Sequence, residues 1–241
     1  MEFTYHSYRF LLKLLMENGY AFSDYKSYQN FPRCVIMRHD IDSVPKAALP
    51  LAEIEKELGM SSTWFVLLTS DFYNPMAPSA LSVLRKLREM GHEIGLHYDE
   101  AAYEPVAPEE TVSKIVRECA LLSEILGAEV RSVSMHRPSP AMLEADLKIP
   151  GIVNSYGKTF FREFKYLSDS RRRWREPVLD IIQSGQYDRL HILTHAFWYH
   201  EKEQTISETV GNFIRSANGE RYEQMRGNIK NLEEIVNLGG A

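Results

Sequence analysis

Four short polar runs hold most of the reactive side chains in this 241-residue sequence. The first, Arg38-His39-Asp40-Ile41-Asp42, sets two carboxylates two residues apart. In an extended chain such a pair lies on one side. Like charges that close repel unless a cation or a shared proton intervenes. A divalent cation removes the conflict and divides the work: one carboxylate ligates while the other takes a proton from an activated water. The competing reading is a turn and capping cluster ahead of Pro45. The second run, from Gly91 to Asp99, ends in Leu96-His97-Tyr98-Asp99 and offers His97 as a metal ligand. The third, Met135-His136-Arg137-Pro138, offers His136 as a further ligand or as a hydrogen-bonding wall. Its Arg137 suits a carboxylate or a substrate contact. The fourth, Thr194-His195, carries a histidine that titrates near neutral pH and so suits a general acid. A satisfied core histidine is the alternative there. Asp169, in Leu167-Ser168-Asp169-Ser170, is placed to hold an imidazolium or the arginine.

These runs share a position: each follows a stretch that reads as a strand. Short apolar stretches at 34–37, 63–68, 93–97, 130–135 and 190–194 suit buried parallel strands, with weaker ones at 151–156 and 164–167. Helical patterns lie between them. One covers 45–58, with Ser43 as its N-cap and Gly59 as its stop. Others cover 79–90, closed by Gly91, then 108–126, ended by Gly127, and 177–183. Six or seven strands alternating with helices imply a mainly parallel α/β sheet. Closure into a barrel is the usual outcome, with polar residues gathered at the C-terminal strand ends. His92 opens its strand at the opposite end and is read as structural.

Composition bounds the rest. Forty-four per cent hydrophobic and 25% charged residues describe an ordinary globular chain, and a net charge of −5 speaks against a nucleic-acid partner. Cys34 and Cys119 read as reduced core thiols, since no Cys-x-x-Cys spacing exists. Phe10-Leu11-Leu12 is broken by Lys13, so no signal peptide is expected. No apolar run approaches the roughly 20 residues that span a bilayer. A cytoplasmic protein is therefore expected, with residues 1–241 as one domain and a helical tail from about residue 202 (a pattern running over 204–238).

Taken together, the runs resemble the five ordered motifs of the polysaccharide deacetylase family, the NodB-homology carbohydrate esterases. Asp40 and Asp42 are similar to its paired aspartates, one the base and one a ligand. Thr63-Trp64-Phe65-Val66 resembles its second strand, and the run from Gly91 to His97 resembles the approach to its metal histidine. Arg137-Pro138 resembles the motif whose arginine orients the base. Ser168-Asp169-Ser170 with Trp174 resembles the fourth motif, and Leu193-Thr194-His195 the one that carries the acid. The match spans roughly residues 34 to 198. It departs at Ala101, where the family has a second histidine four residues after the first. His136, or failing that Asp99, is the replacement ligand to expect. The Asp-x-Asp, Leu-His-Tyr-Asp and His-Arg-Pro features resemble the cytoplasmic branch found with surface-polysaccharide and O-antigen genes.

The resemblance implies a distorted (β/α) barrel and a metal-dependent hydrolase that removes an acyl group, usually acetyl, from an N-acylated amino sugar. Asp42, His97 and His136 would hold the metal, zinc by its donor set although other transition metals fit. Asp40 would be the base, His195 the acid, and Arg137 and Asp169 would tune them. Tyr98, Trp174 and Trp198 are candidates to stack on sugar faces. Arg171, Arg172, Arg173 and Arg175 read either as a solvated loop or as contacts to an anionic, nucleotide- or lipid-linked substrate. Two rivals stand: a hydrolase of another C–N bond, such as a formamide or cyclic amide, and a degenerate family member that binds saccharide without cleaving it. Oligomeric state has no signal in the sequence.

Overall fold

Strands and helices alternate through the first of two compact units, Met1–Lys202 and Glu203–Ala241, in a computed structural model that describes residues 1–104 and 107–236. The order in the first unit is α1 (Tyr5–Glu17), β1 (Ala21–Ser23), β2 (Cys34–Ile41), α2 (Ala48–Glu57), β3 (Thr63–Leu67), α3 (Pro78–Glu89) and β4 (Glu93–Asp99). It continues with α4 (Pro108–Leu126), β5 (Ser132–His136), α5 (Pro140–Glu144), β6 (Val153–Asn154), β7 (Lys165–Ser168), α6 (Val178–Ser184) and β8 (Arg189–Thr194). The second unit contains α7 (Ile206–Arg226), opened by a Thr205–Glu208 capping box, and the short α8 (Leu232–Ile235). The last two positions of the helical tail read from sequence, 237 and 238, lie outside the described residues.

The sheet runs β6-β5-β4-β3-β2-β8-β7, every neighbouring pair parallel, and β1 lies beside the first half of β2. Among the described residues no pairing joins β6 to β7, so the sheet curls into a distorted (β/α) barrel left open on that side. Seven of its eight strands are those read from sequence. The three-residue β1 was too short to show a pattern. Strand β2 runs on through Arg38 to Ile41, where the sequence reading stopped at residue 37, because those polar residues pair with β3. The stretch 151–156 yields only the two-residue β6. The helix expected over 45–58 is a 3-10 turn, Pro45–Ala47, followed by α2, and Ser43 does not cap it. Before β1, Thr4 accepts a hydrogen bond from the Ser7 amide and caps α1, whose Tyr8, Leu11, Leu12 and Leu15 form one buried stripe. Among the described residues no helix is long and apolar enough to cross a membrane.

Strand alternation then sorts residues between the two faces of the sheet. Val35, Met37 and Ile41 of β2 pack with Leu11, Leu12, Leu15 and Leu51 of the helical layer. Cys34 and Ile36 face the other way, into a smaller cluster with Tyr25, Phe65, Phe160 and Phe164 that plugs the barrel interior. Both cysteines are buried and free. His191 sits on that plug. Tyr25 Oη approaches its Nε2 at 2.8 Å and its Nδ1 lies 3.0 Å from the Phe160 carbonyl, which suits a neutral ring donating from Nδ1 and accepting at Nε2. Burial, and then the Arg38 charge, push its pKa down to about 3.

Two expectations follow for stability. Gly95, in mid-β4, has Phe65 within 2.5 Å and Ser132 Oγ within 2.6 Å of where a Cβ would stand, so Gly95→Ala forces β3 and β5 apart. Overpacking of that kind costs about 1–3 kcal/mol, readable as a lower urea midpoint at unchanged slope. His191 titrates lower in the folded chain than in the unfolded one, so the unfolded chain binds its proton first as pH falls. Stability is therefore full above about pH 6.5 and declines below it. The fall in Tm between pH 7 and pH 5 should be smaller in His191→Gln than in the wild type.

Candidate metal and acid–base site

Above the apolar plug the inward positions of the strands turn polar. On β2 the inward series Ile36, Arg38 and Asp40 leads to Asp42 just past its end. On β4 the series is Gly95, His97 and Asp99, and on β5 it is Ser132, Ser134 and His136. The cross-strand register sets His97 opposite Ser134 and Asp99 opposite His136. These pairs fix the site.

Among the described residues, Asp42, His97 and His136 each bring one ligand atom within 4.8 Å of the others. His97 Nε2 lies 3.3 Å and His136 Nε2 3.9 Å from Asp42 Oδ1. That oxygen is buried and has no partner in hydrogen-bonding geometry. The far nitrogen of each ring is already engaged. His97 Nδ1 lies 3.1 Å from Ser134 Oγ, and His136 Nδ1 lies 2.9 Å from Asp99 Oδ2. Donation from Nδ1 leaves both Nε2 lone pairs facing the orphaned carboxylate oxygen, the arrangement that imidazole ligands adopt around a divalent cation. The three residues fit such a cation. Asp99, the alternative ligand in the sequence reading, is instead the group that orients His136. Ala101 lies in a 3-10 turn after β4, where its amide donates to Asp99 Oδ1 at 3.1 Å.

Asp40 flanks the trio, with Oδ2 at 3.5 Å from His97 Nε2. It is held by Arg38, two residues earlier on the same face. Arg38 Nε donates to Oδ1 at 3.0 Å and Nη2 to Oδ2 at 2.8 Å, a bidentate pair with no exposure on the arginine. Burial alone would raise the Asp40 carboxyl, but Arg38 and then His97 hold it well below the usual carboxylate range. The sequence reading assigned the base-orienting role to Arg137, and this is a correction. Arg137 has a side chain 74% exposed and reaches Asp99 Oδ2 at 3.4 Å, not Asp40. Its backbone is left-handed (φ 47°), which swings the side chain outward at the cavity rim. A signal for Arg38 existed: an arginine inside an otherwise apolar strand, spaced two residues from a carboxylate, needs burial with a partner.

His195 follows β8, the neighbour of β2, with Nε2 at 3.8 Å from Asp42 Oδ2. The fully buried Asp169 accepts from His195 Nδ1 at 2.6 Å and from its backbone N–H at 3.1 Å. Burial would lower the imidazole pKa, but the charge and hydrogen bond of Asp169 raise it to about 9. His39, next to Asp40 in sequence, points to the outer face. There it meets Glu55 at 2.9 Å and Thr194 at 2.6 Å and stacks on Trp64 at 3.9 Å. His92, read as structural, lies near the same network, 3.6 Å from Glu55.

A cavity of about 670 Å³ opens over Asp40, Asp42, His97, His136 and His195, and Trp174 and Trp198 form part of its wall. Tyr98 is placed elsewhere, another correction to the candidate sugar contacts. As the neighbour of an inward histidine it faces outward, fully buried, and stacks on Tyr103 at 5.7 Å. Arg171 and Arg175 line the cavity, whereas Arg172 lies over the Phe3 ring at 4.9 Å.

No family model and no curated protein matches the sequence. Solved structures similar to this chain include the chitin deacetylase of the fungal pathogen Colletotrichum lindemuthianum: 17% identity, 77% of this chain and 83% of that one, TM-score 0.48. The peptidoglycan deacetylase PdaC of Bacillus subtilis matches at 14% identity over 80% of this chain and 97% of that one, TM-score 0.46. A CE4 family pseudoenzyme of Bacillus anthracis matches at 13% identity over 79% and 62% of the two chains, TM-score 0.45. At scores below 0.5 these likenesses transfer no activity, and the chemistry has to come from the site itself.

The two arginines separate cleanly in mutagenesis. Arg38→Met strands the buried Asp40 charge and should destabilise the metal-free protein by about 3–5 kcal/mol in urea titration. Arg137→Ala removes an exposed contact and should stay within about 1 kcal/mol of wild type.

Proposed function

We propose that this chain is a metal-dependent hydrolase of the polysaccharide deacetylase family that removes an acetyl group from an N-acylated amino sugar during bacterial surface-polysaccharide synthesis. The observation that carries the reading is the gathering of these groups on the cavity floor. Asp40, held by Arg38, and His195, held by Asp169, each lie within 4 Å of a member of the Asp42–His97–His136 trio. Two imidazoles and a carboxylate are donors suited to zinc. When bound, the cation would polarise the acyl carbonyl and acidify the attacking water, which lets so weak a base as Asp40 accept the proton.

The chain's own residues supply the rest. Arg38 keeps Asp40 ionised and fixed in direction. Asp169 keeps His195 charged, so that it can deliver a proton to the departing nitrogen, which is a poor leaving group as an amide anion. Trp174 and Trp198 offer faces on which a sugar ring can rest. Support for the surface-polysaccharide role and for a cytoplasmic location comes from the motif resemblance in the sequence.

The test is a set of point variants with metal content and turnover measured together. Asp40→Asn should keep a full complement of zinc and lose at least about 100-fold in turnover on an N-acetylated amino sugar. Asp42→Ala, His97→Ala and His136→Ala should each lose both metal and activity. Full activity in Asp40→Asn would remove it as the base, and full metal in His136→Ala would remove the third ligand. Cleavage of small cyclic amides in preference to acetylated sugars would favour the other C–N hydrolase. Saccharide binding without turnover, at a fraction of one metal per chain, would favour a binding protein.

A further inference from the structure

The wall of the cavity carries a charge that hydrolysis of a neutral acetamido sugar does not need. Arg137, Arg171 and Arg175 all line it. Arg171 and Arg175 are exposed, and neither has an ion-pair partner among the described residues. The nearest acid in sequence, Glu176, is taken by Lys165 at 2.5 Å. Asp99, beside Arg137, is shared with His136. On the floor, Asp40 is matched by Arg38. Trp174 lines the same wall. The wall therefore offers three guanidinium groups and, with the paired acids and the Asp42 of the floor trio set aside, no carboxylate among the described lining residues to answer them. Ordinary surface arginines point wherever solvent takes them, but the backbone constrains two of these. Arg137 (φ 47°) and Arg171 (φ 61°) are two of only five non-glycine residues with left-handed backbone among the described residues. Such conformations occur where the surroundings hold a residue in place, and they concentrate at ligand clamps.

We propose that the substrate is an acidic N-acylated amino sugar, whose phosphate or carboxylate group is bound by Arg171 and Arg175, while its acyl group reaches the cavity floor. The inference rests on the deacetylase reading and names the substrate class for the same site. Guanidinium groups match both anions bidentately, so the shared chemistry is a planar or tetrahedral oxyanion on the sugar or its carrier.

The experiment uses the full-length, zinc-loaded chain and compares four probes. N-acetylglucosamine 1-phosphate, UDP-N-acetylglucosamine and an N-acetylated hexosaminuronic acid are acidic, and a neutral N-acetylglucosamine oligomer is the reference. Wild type should prefer at least one acidic probe over the oligomer by about tenfold or more in kcat/KM. The preference should shrink as salt rises. In the double variant Arg171→Gln/Arg175→Gln the acidic-over-neutral ratio should fall at least about tenfold, through KM rather than kcat. The pattern among acidic probes assigns the anion to phosphate or carboxylate. Equal kcat/KM for acidic and neutral sugars, or an unchanged ratio in the double variant, overturns the proposal and leaves the deacetylase reading standing. Calorimetric binding to Asp40→Asn covers the case of no turnover. Tighter binding of an acidic probe that is lost with both arginines supports the anion site even if the hydrolase reading fails. Equal binding of all probes, or of none, overturns it.

Discussion

A guanidinium and a carboxylate buried together in the barrel interior set the terms for everything around them. Taking the Arg38–Asp40 pair out of water is unfavourable unless each remaining donor finds a partner. The structure meets that demand: Arg38 also donates to Ser134 and, at 3.1 Å, to Ser155, while its charge lies over the Tyr156 ring at 4.6 Å. The same demand explains the small inward residues beside it. Gly95, Ser132 and Ser134 leave room that larger inward side chains on β4 and β5 would close. Ser134 then serves twice, accepting from Arg38 and standing 3.1 Å from His97 Nδ1. The candidate metal trio and Asp40 thus share one hydrogen-bonded frame, and a change at Arg38 reaches His97 through Ser134 without touching it.

Strand β2 works on both faces. Inward it carries Arg38 and Asp40, while outward His39 joins Glu55, Tyr8 and Thr194 in a fully buried network. Thr194 immediately precedes His195, so the network ties the strand of Asp40 to the strand that leads to His195 from behind. Burial would raise the Glu55 carboxyl, but His39 holds it low, which keeps the network charged. A buried, fully partnered network of this kind favours one register of β2 against β8 over slipped alternatives. The placing of Asp40 beside His195, one residue beyond the His39–Thr194 pair, depends on that register.

The sequence showed most of this at the level of strands and ends, because a parallel barrel puts its polar residues where apolar runs stop. Asp40, Asp42, His97, His136 and His195 were legible for that reason, and Asp169 as well. What escaped was direction. Period-two alternation, applied strictly from His97, would have turned Tyr98 away from the cavity. Applied from Asp40, it would have brought Arg38 inward in place of Arg137. The run Arg38 to Ile41 reads from sequence as the polar end of the strand, past its apolar stretch, although it pairs with β3 throughout and its charges are matched within the barrel. No local pattern marks Glu55 as the partner of His39, sixteen residues away, or Ser155 as a partner of Arg38. Those contacts belong to the packing of layers. The N-terminal helix was legible from its apolar spacing but was weighed only as a leader sequence.

The open seam of the sheet divides the labour between floor and wall. The floor groups sit on or just beyond β2, β4, β5 and β8, where ladder hydrogen bonds fix each Cα. On the seam side, between β6 and β7, the cavity wall comes from the segments after β5, β6 and β7: Arg137 and Pro138, Tyr156 and Phe161, Arg171, Trp174 and Arg175. Those segments lie outside the ladder, so their residues can change without moving the ligands. A closed barrel would have filled that side with a further strand and its alternating side chains. On the proposed reading, leaving it open would let the acyl group be met by a rigid floor and the rest of the substrate by adjustable loops, so that the loop arginines and tryptophans would set substrate range and the strand ends bond chemistry.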